Sequence, residues 1–168
     1  EEGKIVRFPP IMRLDVASST LSTGDVRKLI KIAGRPNIHI SAIDVSGAKL
    51  KGDVGKICDA CLALEKNVNS ITQLMMSDVS MSDSCVPAVV NYLASTTKLT
   101  KFKIGYNDTI FKKGNYGFLV DILLKNKTLK NVHLPAIPQT KDQIEMFFEA
   151  IRDHPSLVKL CFDGNDLG

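Results

Sequence analysis

Leu157-Val158-Lys159-Leu160-Cys161-Phe162 carries apolar side chains at its first, fourth and sixth places, and that spacing organises the whole chain. It returns at Ile11/Leu14/Val16, Ile40/Ile43/Val45, Ile71/Leu74/Met76, Leu99/Phe102/Ile104 and Leu129/Val132/Leu134. The middle residues, at 14, 43, 74, 102, 132 and 160, are 29, 31, 28, 30 and 28 positions apart. Self-similarity at such a period marks a solenoid, in which each unit buries its apolar face only by stacking on its neighbours. Repeats therefore start near residues 11, 40, 71, 99, 129 and 157, and residues 1–168 read as one domain.

Helical patterns alternate with these short strand signals. Val26/Leu29/Ile30/Ala33, Ile57/Ala60/Cys61/Leu64, Val86/Val89/Val90/Leu93, Tyr116/Leu119/Val120/Leu123 and Ile144/Phe147/Phe148/Ile151 each follow the spacing i, i+3, i+4, i+7. That spacing puts each set on one helical face. Ser22 or Thr23 before Asp25, the run Ser82-Asp83-Ser84, and Thr140 with Gln143 are expected to cap three of the helices. Because a helix separates consecutive strands, those strands must pair in parallel. The expected architecture is an α/β solenoid of about six strand–helix repeats with a parallel concave sheet.

The segment Leu157-x-x-Leu160-x-Phe162-x-x-Asn165-x-Leu167 resembles the leucine-rich-repeat signature. The 28–31-residue period with a full helix is similar to the ribonuclease-inhibitor-like class. That class includes tropomodulin, the CARMIL-type capping-protein regulators, Ran GTPase-activating protein and the NOD-like receptors. Lys125-Asn126-Lys127-Thr128-Leu129 and His154-Pro155-Ser156-Leu157 resemble its linkers between helix and strand. The resemblance implies a right-handed, horseshoe-like arc and a non-enzymatic role in binding a protein partner. Within that role it points to actin regulation in the cytoplasm, with control of a GTPase or other enzyme, or ligand sensing in a receptor, as alternatives.

The sequence departs from the signature in its turns. The signature asparagine stands only at Asn107 and Asn165, while Ser19, Ala48, Val79 and Ile137 occupy the equivalent places. Those turns need other means of satisfying their backbone groups. Pro135 and Pro138 predict an irregular fifth turn. Neither end supplies a clear polar cap, so the chain is expected to belong to a longer array with flanking domains.

Composition narrows the function classes. No apolar run approaches the roughly 20 residues that span a bilayer. Cys58-x-x-Cys61 lacks a second ligand pair for zinc, and its second cysteine falls on an apolar helical face, so both read as buried thiols. His39, His133 and His154 lie in different repeats, and no nucleophile or phosphate-loop motif accompanies them. No catalytic, cofactor or metal site and no small-molecule substrate are expected. Residues 98–130 concentrate positive charge, with eight basic and two acidic groups. They spread over strand, turn and loop, which argues against a nucleic-acid or anionic-membrane groove.

Strand alternation places the candidate binding residues on the concave face. One outward row contains Arg13, Gln73, Lys101 and Lys159; the next contains Asp15, Asp44, Met75, Lys103 and His133; Tyr106 lies just beyond. Met75 and Tyr106 are expected to be the exposed apolar anchors.

Overall fold

A computed structural model describes residues 13–35, 38, 40–50, 53–66, 71–107, 117–134, 140–162 and 164. Its elements run β1 Arg13–Asp15, α1 Thr23–Ala33, β2 Ala42–Asp44, α2 Gly55–Glu65 and β3 Gln73–Met75. A single 3-10 turn, Asp83–Cys85, leads into α3 Val86–Ser95. Then follow β4 Lys101–Lys103, α4 Gly117–Lys125, β5 Asn131–His133, α5 Lys141–Arg152 and β6 Lys159–Cys161. The six strands form one open parallel sheet in chain order. The fold is thus a leucine-rich-repeat-like α/β array, with helices packed in sequence order beside the sheet.

The repeat centres that organise the sequence are direct partners in the sheet: Leu14, Ile43, Leu74, Phe102, Val132 and Leu160 align in one register. Four of them, Ile43, Leu74, Phe102 and Val132, are almost wholly buried. Backbone bonds continue beyond the three-residue strands. Val45, Met76 and Ile104 donate their N–H groups to the carbonyls of Met75, Lys103 and His133.

The described turns after five of the six strands repeat a left-handed residue at the same place. Ser18, Gly47, Asp78, Tyr106 and Gly164, each four residues past a strand centre, have φ between 53° and 70°. A second ladder runs through three of them: Ser18, Gly47 and Asp78 donate their N–H groups to Ser46, Ser77 and Gly105 of the following repeat, at 2.8–3.1 Å. All five share the left-handed conformation. Glycine adopts it freely, whereas tyrosine does so at a cost.

Asn107 supplies what the missing turn asparagines do not. Its buried amide donates to Met76 and Ile104 carbonyls at 2.9 and 2.6 Å and accepts from Val79 N–H at 3.0 Å. It therefore satisfies the turn of the preceding repeat, where Val79 has no amide to offer. At the first equivalent position the Ser19 hydroxyl is buried without a partner. Asn165, Ile137 and the turn prolines lie outside the described residues.

Helix starts agree with two of the three expected caps. Ser22 with Asp25, and Thr140 with Gln143, form reciprocal capping boxes. Ser82 does not cap; its hydroxyl bonds Ser84, and the chain enters α3 through the 3-10 turn. The helical faces also need correction. In α4 the buried set is Phe118, Leu119, Ile122 and Leu123, so the face is rotated toward Phe118 and Ile122, leaving Val120 half-buried. In α5 Phe147 is buried but Phe148 is 49% exposed, stacked edge-on at 6.3 Å from Phe147.

Three helix-to-strand junctions use different side chains for the same task. Thr96 Oγ1 accepts from the Lys98 and Leu99 N–H groups, Asn126 Oδ1 from Thr128 and Leu129, and His154 Nδ1 from Ser156 and Leu157. An imidazole nitrogen that accepts two N–H bonds cannot carry a proton. Burial, with Lys127 nearby, accordingly holds the His154 pKa below its ordinary value.

Asn107→Ala should lower stability by about 3 kcal/mol, because buried backbone groups of two turns lose their bonds to its amide. Urea unfolding with an unchanged m-value checks it. His154 also sets a pH response. The unfolded imidazole takes a proton more readily than the folded one, so its contribution is complete above about pH 6.5 and declines as pH falls. His154→Asn, which copies the Asn126 junction, should flatten the thermal melting curve's dependence on pH between about 7 and 5.

Candidate functional site

The sheet positions two outward rows with little freedom. Arg13, Ala42, Gln73, Lys101, Asn131 and Lys159 are successive partners, as are Asp15, Asp44, Met75, Lys103, His133 and Cys161. The candidates therefore do share one face. They do not share one chemistry.

At the β1–β2 end the charges are spent internally. Arg13 bridges Asp15 at 2.9 Å and Asp44 at 2.6 Å through the same guanidinium nitrogen. Each carboxylate also caps its own turn: Asp15 accepts from Ala17 N–H, and Asp44 from Ser46 N–H. Asp44 retains only 14% side-chain exposure. The acidic end of the row thus serves the turn that follows each strand.

Met75 is a correction. It was expected as an exposed anchor, but only 4% of its surface is accessible. Asp44 and Lys103 are its register partners on the adjacent strands, and an unbranched thioether fills gaps between such neighbours readily. A Met75 substitution would read as packing rather than contact.

At the β4–β6 end the charges are free. Lys101 and Lys103 are half-buried and Lys159 is exposed, and none has an ion-pair partner among the described residues. His133 is half-buried between Lys103 and Cys161. Tyr106 follows β4, is 50% exposed and stands at φ 59°. Asn131, half-buried between Lys101 and Lys159, completes the row. It was absent from the candidates, and register alone could have added it.

The remaining chemistry-bearing residues are structural. Cys58, Cys61 and Cys85 are free and buried in the helical layer. Burial pushes the Cys61 thiol up to about 12 and the Cys58 thiol well above the ordinary thiol range. Both stay protonated near neutral pH, which suits packing and not nucleophilic chemistry. No group of three metal-ligating side chains occurs among the described residues. No helix there is long and apolar enough to cross a membrane. Glu65, at the end of α2, clamps the next repeat: its carboxylate accepts from Thr96 Oγ1 at 2.6 Å and Thr97 N–H at 2.8 Å.

No known family's sequence profile matches the chain, and no curated protein matches it in sequence. Among solved structures, it is similar in fold to leiomodin-1 actin-binding site 2, with a TM-score of 0.67. The two share 13% identity over 88% of this chain and 83% of that one. Agreement in fold at so low an identity fits an array specified by apolar spacing, not by particular surface residues.

Tyr106→Asn should leave thermal stability within about 1 kcal/mol of the parent, since asparagine tolerates the left-handed turn better and offsets the lost ring contacts. Tyr106→Ile, β-branched at the same φ, should melt earlier.

Proposed function

We propose that the chain is a non-enzymatic protein-interaction module of the ribonuclease-inhibitor-like leucine-rich-repeat class. It acts in the cytoplasm, with residues 1–168 as a single domain, and binds an acidic protein surface through the β4–β6 end of its sheet. The observation that carries this reading is the set of three cations without ion-pair partners among the described residues, Lys101, Lys103 and Lys159, beside the exposed Tyr106 ring. Tyrosine is among the residue types that most often anchor an interface. Surrounding charge speeds encounter and sets register. Gln73 and His133 border this centre and contribute polar contacts, whereas Arg13, Asp15 and Asp44 maintain the opposite end of the sheet.

Actin is the candidate partner. Its support is the likeness in fold to a leiomodin-1 actin-binding segment, together with the sequence resemblance to tropomodulin. Fold likeness is an associational argument, so the test must stand on residues.

Purified chain is titrated against actin monomers and filaments, with Lys101→Glu/Lys103→Glu and Tyr106→Asn as variants. Each variant should weaken binding by about tenfold or more while keeping its fold, since removing an interface anchor costs more than about 1.4 kcal/mol. Arg13→Ala should bind like the parent. Full-strength binding by both sheet variants would remove the β4–β6 face from consideration, and absence of binding by the parent would remove actin.

A further inference from the structure

The helical layer carries two grooves of opposite charge that the sheet face does not use. One, between α1 and α2, has a volume of about 570 Å³, with Arg27, Lys28 and Lys31 on its rim beside Ala60 and Ala63. Among the described residues no carboxylate lines it. The other, between α4 and α5, has a volume of about 490 Å³, with Asp142, Glu145 and Glu149 beside Val120, Leu124 and Met146. Among the described residues no cation lines that one.

Half of these six charges are unpaired. Arg27, Lys31 and Asp142 have no ion-pair partner among the described residues. Lys28 pairs with Asp25 at 3.3 Å, Glu145 with Lys141 at 3.9 Å and Glu149 with Arg152 at 2.7 Å. These are exposed pairs within single helices, which are weak and exchange partners easily. Within the acidic groove Leu124 and Met146 are 52% and 55% exposed, an apolar surface with nothing packed on it.

The two grooves also match in spacing. Arg27 and Lys31 are four residues apart on α1, and Glu145 and Glu149 are four residues apart on α5. Each pair therefore spans about 6 Å along its helix axis. The imbalance extends along the array: residues 1–50 carry a net charge of +3 and residues 131–168 a net charge of −3.

We propose that the chain associates head to tail with a second copy of itself, the acidic, Met146-bearing edge of α5 docking in the basic α1–α2 groove of that copy. A second copy is the occupant that the molecule itself specifies, because it carries both halves of the contact at matching spacing. The surfaces differ, so the contact is heterologous, leaves one groove free at each end and adds further copies. Met146 and Leu124 supply the apolar centre over Ala60 and Ala63, and the charged rows set the register.

Sedimentation velocity of the chain over a range of concentrations tests this at low salt and at about 0.5 M salt, where screening is severe. The parent's average mass should rise past that of a dimer at low salt and fall to one chain at high salt. Arg27→Glu/Lys31→Glu and Asp142→Lys/Glu145→Lys alter exposed positions, should melt like the parent, and should each remain single chains. An equimolar mixture of the two variants should associate again, since each retains the groove that the other has lost. The proposal fails if the parent stays a single chain at low salt, if either variant associates as the parent does, or if the mixture stays dissociated.

Discussion

Parallel register between successive repeats is the constraint on which everything else depends. Each strand is only three residues long and has its partners entirely in neighbouring repeats. A slip of one residue would turn every apolar centre to solvent and every lysine into the core. The same register delivers the turn ladder from Ser18, Gly47 and Asp78 and stacks the helices in order. No repeat is stable by itself, so the binding face exists only because the array does.

Polar side chains secure that register where backbone alone cannot. Asn107 reaches back into the preceding turn, and Glu65 reaches forward into the next helix-to-strand junction. Thr72 and Thr100 hydroxyls donate to carbonyls one repeat earlier. Thr96, Asn126 and His154 show that the junction requires an acceptor in a given place, not a given residue. This explains how the signature erodes without loss of the fold: what recurs is a hydrogen-bonding geometry, which threonine, asparagine and neutral histidine all satisfy.

The fold was legible because its determinants are periodic. Strand centres, their pairing and the capping boxes at Ser22 and Thr140 all followed from residue type and spacing. What escaped depended on three-dimensional crowding. Met75 falls in the outward row between Asp44 and Lys103, yet only 4% of its surface is accessible. Phe148 fits the helical frame of α5 but lies at its edge, where the burial falls on Ala150 instead. The candidate face was only half legible, since spacing shows which side chains point outward but not which of them are already paired. Arg13, Asp15 and Asp44 looked like Lys101 and Lys103 until the ion pairs were in view.

Those ion pairs explain the polarity of the face. An aspartate at the third strand position accepts the N–H two residues on, so Asp15 and Asp44 are useful to their own turns. Two such carboxylates on adjacent strands repel each other, and Arg13 between them relieves the repulsion. At β4 the same position holds Lys103, which cannot accept a hydrogen bond and does nothing for the turn. There the buried amide of Asn107 donates to the Ile104 and Gly105 carbonyls and so holds the turn from its other side. Beside that turn the sheet presents Lys101 and Lys103, without ion-pair partners among the described residues, and the exposed Tyr106 ring.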